Sequence, residues 1–75
     1  MARVLLLAPM LVTINGAVRE IPEGLTLRDL VVHLGLVDGP VAIEVNKAIV
    51  PRARHAEEMV RGGDVIEMVH FVGGG

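Results

Sequence analysis

Asn15 and Gly16 stand between two apolar-rich stretches, and that dipeptide commits the start of the chain to a β-hairpin. A two-residue type I′ turn needs positive φ at both central positions, which Asn followed by Gly tolerates best. The turn also sets the register. Residues 10–14 pair with residues 17–21, placing Ile14 opposite Ala17, Val12 opposite Arg19 and Met10 opposite Ile21. That face is mostly apolar and is the predicted core face, while Leu11, Thr13, Val18 and Glu20 share the other. The chain has 75 residues, enough for one domain.

A single segment carries a full helix signature. Pro22, Glu23 and Gly24 end the hairpin, and Thr26 with Asp29 three residues on forms a capping box, in which side chains satisfy free amides of the first turn. Leu25 and Leu30 occupy the positions of a hydrophobic staple. Leu27, Leu30, Val31 and Leu34 recur as one apolar stripe, which Gly35 closes as a left-handed C-cap. Asp38, Gly39 and Pro40 make a turn, after which Val41, Ile43 and Val45 alternate with Ala42 and Glu44 as a half-buried strand. Asn46-Lys47 turns the chain into a short strand over residues 48–50, stopped by Pro51. Residues 52–59 hold mixed charge without a stripe and read as a surface loop with one helical turn. Gly62-Gly63-Asp64 is a further turn, and residues 65–72 are apolar except at Glu67 and His70, which suits a central strand covered on both faces.

One amphipathic helix and one sheet can hide their apolar faces only against each other. The order strand, strand, helix, strand, short strand, strand is therefore that of an α+β domain: a mixed sheet of four to five strands with one main helix on one face. This is the pattern of the ubiquitin-like β-grasp, in which the first hairpin and the last strand sit together.

The beginning of the chain needs a separate reading. Arg3 precedes an apolar run over residues 4–12, which resembles the basic end and apolar core of a signal peptide. No small-x-small cleavage site follows, the run is too short to span a bilayer, and the Asn15-Gly16 turn needs a strand in front of it. Pro9 divides the run, because it has no backbone donor and holds the preceding residue away from helix. Residues 1–9 are thus expected to form an N-terminal extension, residues 10–72 the β-grasp domain, and residues 73–75 a flexible glycine tail. A chain starting at Met10 is expected to melt almost with the full one.

Much chemistry is excluded by what the sequence lacks. The formal net charge is −2 and Phe71 is the sole aromatic residue, so neither a basic field nor a stacking platform is available for nucleic acid. Without cysteine there is no disulfide, thiolate nucleophile or zinc-thiolate site, and without serine there is no Ser-His-Asp arrangement. His33, His55 and His70 are scattered: one on the helix beside the core, one on a solvated loop, one along the last strand. No metal site is expected from them. Gly62-Gly63 lacks the Lys and Ser or Thr of a phosphate-cradling loop, and Glu57-Glu58 sits among Arg52, Arg54 and Arg61 as a charge-balanced, solvated pair. So small a chain has little room for an enzyme cleft beside its core.

What remains is the end, Phe71-Val72-Gly73-Gly74-Gly75. With glycine at about 7% of residues, three in a row at a given place arise by chance about three times in ten thousand. A flexible end or tag remnant accounts for them without chemistry. The alternative is that the terminal carboxylate is the reactive group, carried on an arm without side chains that fits a narrow enzyme channel. A free carboxylate resists nucleophiles, so it must first be activated, for example as a mixed anhydride with AMP.

Residues 10–75 resemble the ThiS-type sulfur carrier proteins of thiamine biosynthesis, related to MoaD. The resemblance is carried by Val45-Asn46-Lys47-Ala48-Ile49-Val50-Pro51-Arg52 and by Gly63-Asp64-Val65-Ile66-Glu67-Met68-Val69-His70-Phe71-Val72-Gly73-Gly74-Gly75. It implies a cytoplasmic protein co-substrate rather than an enzyme, with no cofactor of its own. On that pattern Gly75 is adenylated by a ThiF-like enzyme using ATP and magnesium, then converted to a thiocarboxylate with sulfur from an enzyme such as a cysteine desulfurase. The loaded end then docks into the thiazole synthase ThiG. Gly73 and Gly74 would form the arm, and Phe71 and Val72 the approach that partners bind. Residues 1–9 depart from the family, whose members usually open directly with the first strand.

A MoaD-like small subunit of molybdopterin synthase would share fold and glycine end, a ubiquitin-like modifier would form an amide with a lysine, and a purely structural domain would use neither. The His70-Phe71-Val72 approach favours ThiS over MoaD. Because one helix covers one sheet face, part of the apolar surface of the last strand, Val65, Val69 and Phe71 against Ile66 and Met68, should stay exposed near the tail as a partner surface.

Overall fold

The computed structural model describes residues 9–72. Strand β1, Pro9–Ile14, and strand β2, Ala17–Pro22, pair antiparallel in the expected register, Ile14 with Ala17, Val12 with Arg19 and Met10 with Ile21. The ladder runs one residue further back than expected, to Pro9 opposite Pro22. A proline lacks only the donor, which the first residue of a strand can spare. Residues 1–8 of the expected extension lie outside the described residues. Asn15 and Gly16 both take positive φ, 50° and 83°, as the hairpin turn demands.

Helix α1, Leu27–His33, begins at the capping box: Asp29 N–H donates to the Thr26 hydroxyl (3.1 Å), and Thr26 N–H donates to the Asp29 carboxylate (3.0 Å). The Thr26 backbone N–H, and after it the Thr26 hydroxyl, holds the Asp29 carboxyl below its ordinary 3.8. Since the folded-state pKa is the lower one, this stabilisation is present above 3.8 and is lost as pH falls through the folded value. An Asp29→Ala chain should therefore melt below the parent at neutral pH, and the gap should close on acidification below 3.8 in parallel thermal melts. At the other end Gly35, at φ 75°, donates to the Val32 carbonyl and Leu36 N–H donates to that of Val31, the paired bonds of a Schellman motif.

Strand β3, Val41–Val45, turns through Asn46 and Lys47, both at positive φ, into β4, Ala48–Val50. A 3-10 turn over Arg52–Arg54 follows, and β5, Val65–His70, completes the sheet in the order β2-β1-β5-β3-β4. β5 runs parallel to β1, with Thr13 beside Val65, and antiparallel to β3, with Val41 beside His70. One face of this sheet meets α1, and Val12, Ile14, Ile21, Leu27, Leu30, Ile43, Ile66 and Met68 form the buried core between them.

Three expectations are corrected. β5 is central but not covered on both faces: Ile66 and Met68 are buried against α1, whereas Val65 and Val69 face outward, because among the described residues no second α-helix covers them. Residues 52–59 are the expected surface loop with one helical turn, Arg52–Arg54, but the loop is tied to the helix entry. Leu27 N–H donates to the Glu58 carbonyl, Arg28 N–H to that of His55 and Val60 N–H to that of Leu25, and Thr26 bridges to Met59. His55 is accordingly not solvated but 8% exposed, its Nε2 at 2.9 Å from the Val50 carbonyl. His33 faces solvent, since it lies off the stripe that packs on the sheet.

The central strand is also clasped from both sides by turn side chains. Met68 N–H donates to the Asn15 side-chain oxygen (2.7 Å) while Asn15 Nδ2 donates to the Met68 carbonyl (3.1 Å), so one side-chain amide continues the β1 ladder past its last backbone rung. Asn46 does the corresponding work at the start of β5: Val65 N–H donates to its Oδ1 (3.0 Å), and its Nδ2 donates to Asp64 (3.1 Å).

Candidate functional site

β5 sits at the middle of the sheet, and the chain beyond it leaves from there. Phe71 N–H donates to the Pro40 carbonyl at 2.9 Å, which anchors the first residue past the strand to the turn ahead of β3. Gly39 forms the seat beneath it. At φ 140° it adopts a conformation that side chains disfavour, and a Cβ there would run into the Phe71 carbonyl. The turn of residues 38–40, read from sequence as a connection only, thus fixes where the tail begins. Gly39→Ala should displace Phe71 and cost about 1–3 kcal/mol through backbone strain. Hydrogen exchange should show it, with the Phe71 amide losing its protection while the β1 and β5 amides keep theirs.

Phe71 is 54% exposed and Val72 70%, side by side at the exit. The other expected site residues, Gly73, Gly74 and Gly75, lie outside the described residues. Phe71 continues the uncovered outer sheet face. There Val65 and Val69 of β5 neighbour Thr13 and Ala42 across the ladders, and Leu11 and Val18 extend the surface over the hairpin. Glu44 and Glu67 stand opposite each other on that face, with Ile49 on the far side of Glu44 and Glu20 paired with Leu11. An apolar surface set with carboxylates and carrying no catalytic constellation can grip a partner that is apolar and edged with cations. Among the described residues no three His, Asp or Glu side chains gather closely enough to hold a metal ion. Among the described residues no helix is long and apolar enough to cross a membrane.

The uncovered apolar face was legible in the sequence, whereas the seat made by Gly39 and Pro40 and the two asparagine clasps were not. The one available sign was Gly before Pro within a turn, which marks a bend but not what leans on it.

Comparison with known proteins accounts for nearly the whole chain. The model of the ThiS family matches residues 12–75. Two thiazole synthases, from Magnetococcus marinus and Paramagnetospirillum magneticum, are each 39% identical over 66 residues, 88% of this chain, and the chain spans 20% of their length. The sulfur carrier protein ThiS of Bacillus subtilis is 44% identical over 50 residues, 67% of this chain and 76% of that protein. The crystal structure of the thiamine biosynthesis protein ThiS from Geobacter metallireducens superimposes with a TM-score of 0.74 at 29% identity, covering 88% of this chain and 100% of that one. The five-stranded mixed sheet with one helix across it is thus the β-grasp of that protein, and with the family model spanning all but residues 1–11, the chain belongs to the ThiS family.

Proposed function

We propose that the chain is a sulfur carrier of thiamine biosynthesis, a protein co-substrate that holds sulfur as a thiocarboxylate on Gly75. The family match over residues 12–75 is the observation that carries this reading. The geometry agrees with it: Phe71 is bonded at the exit of the central strand, so a rigid sheet presents the residues that follow. In this scheme an adenylating enzyme uses ATP and magnesium to join the Gly75 carboxylate to AMP. Hydrosulfide then attacks the acyl carbon and AMP leaves, giving the thiocarboxylate; if a donor enzyme's persulfide attacks instead, a second thiol reduces the resulting acyl disulfide to release it. Such ATP-dependent loading suits the cytoplasm. A thiazole synthase is the acceptor, a choice supported by the two synthases in which a ThiS-like segment makes up a fifth of the length. Intact-mass measurement of the chain after incubation with a ThiF-like enzyme, ATP, magnesium and a sulfur source should show oxygen replaced by sulfur at Gly75. An unchanged mass under conditions that load a known ThiS would refute the reading.

The partners are proposed to grip Phe71, Val72 and the outer face of β5, with Gly73 and Gly74 threaded into their channel. Val69 is 55% exposed and lies on that face, so Val69→Glu removes no core contact. The variant should melt with the parent yet bind the adenylating enzyme or the synthase about tenfold or more weakly, as burial of an unpaired charge at an interface would require. Calorimetric titration of both forms checks this, and equal affinities would move the docking surface elsewhere.

A further inference from the structure

On the helix-covered side a cavity of about 370 Å³ lies between α1, residues 36–41 and the turn over residues 52–56. Val31 and Val41 give it apolar walls, and Arg28 and Arg52 both line it. Neither arginine is in an ion pair among the described residues. Asp29, next to Arg28 in the chain, is engaged on the Thr26 amide, and Glu58 pairs with Arg54. The arrangement is that of a site for a small organic anion, because a guanidinium binds a carboxylate through directed, charge-assisted bonds.

Gly39 joins this cavity to the exit of the chain, for it lines the cavity and is also the seat of Phe71, with the Val72 Cα only 3.8 Å from the position of a Gly39 Cβ. Three residues beyond Val72 reach at most about 10 Å, the scale of the cavity itself. We propose that the cavity is a resting site for the chain's own anion at Gly75, carboxylate or thiocarboxylate, held by Arg28 and Arg52 between loading and delivery. The inference rests on the role of Gly75 proposed above. Its consequence is protection. Hydrolysis of a thiocarboxylate requires water to add at the carbonyl carbon and the carbon–sulfur bond to break, with sulfur leaving as hydrosulfide and a proton released to solvent. An end lodged between two guanidiniums and apolar walls meets less water. Partners that grip the outer face would draw the end out from the opposite side of the sheet.

The test uses the full chain, labelled with nitrogen-15, beside a chain lacking Gly75 and an Arg28→Ala/Arg52→Ala double variant. Both arginines are exposed, so the double variant keeps its core. Removing Gly75 should shift the Nε–H signals of Arg28 and Arg52 and the Gly39 amide, independently of protein concentration. Once loaded, the double variant should lose its sulfur about tenfold faster than the parent, the effect of one charge-assisted bond. Arginine signals indifferent to Gly75, shifts that vanish on dilution and so come from a second copy, or equal hydrolysis rates would each overturn the proposal. If no thiocarboxylate forms at all, the carrier function fails, and the signals of the unloaded carboxylate still decide this inference on their own.

Discussion

Deleting Gly75, or replacing Gly74 by Ala, should leave a chain that melts within about 1 kcal/mol of the parent and no longer accepts sulfur. The described strands, helix and core all lie within residues 9–72, so both changes leave those elements intact. The reaction is affected differently. Losing one residue withdraws the carboxylate by about 3.5 Å, while misplacement of a reacting group by even about 1 Å can cost a hundredfold in rate. The Ala methyl at residue 74 would meet the walls of a channel shaped for bare backbone and exclude positive φ. Adenylate formation and thiocarboxylate yield should both fall at least about a hundredfold, read by pyrophosphate release and intact mass. Loading of both variants at the parental rate would reduce the glycines to a spacer.

Asn15 should be the most costly single surface residue to lose. Asn15→Gly keeps a turn residue at home in positive φ but deletes both side-chain bonds to Met68, each worth about 1 kcal/mol, so stability should fall by about 2 kcal/mol. Asn15→Ala removes the same bonds and also strains the turn, for a total of about 3 kcal/mol. A domain this small has a net stability of about 3–5 kcal/mol, so the Ala variant should stand close to unfolding. Urea unfolding of the three forms separates the contributions. If the Gly variant unfolds with the parent, the clasp on β5 contributes nothing and only the turn matters.

The Asn15 case shows where sequence reading stops. Everything set by neighbours in the chain was legible: the hairpin register follows from a two-residue turn, and the Thr26–Asp29 box and the Gly35 cap follow from spacings of a few residues. The stripe of Leu27 and Leu30 fixed which way α1 faces, and a single helix implied an uncovered sheet face ending at Phe71. Asn15 was fully explained by its turn, and nothing nearby announced that its amide would reach a strand 53 residues away. His55 was misread for the same reason. Its segment looks polar and solvated, yet backbone bonds to Leu25, Leu27 and Arg28 draw it against the helix entry, and no periodicity records such bonds. Gly39 likewise signals a bend, while the demand for a missing side chain arises from Phe71, far along the chain.

The place of β5 in the sheet also governs when this protein can fold. The strand between β1 and β3 is the last of the five to leave the ribosome, so a nascent or interrupted chain holds two separate hairpins and a helix with no centre to join them. Pairings of such long sequence separation form late and make folding slow, because the intervening loop must close before they return any stability. Gly75 lies three residues beyond Val72. A product cut short before His70 therefore lacks both its core strand and the end proposed to carry sulfur, and remains unfolded for proteases to remove. Structural integrity and the proposed chemical competence are thereby tied to the same few codons, and a folded but tailless competitor for the proposed activating enzyme seldom arises.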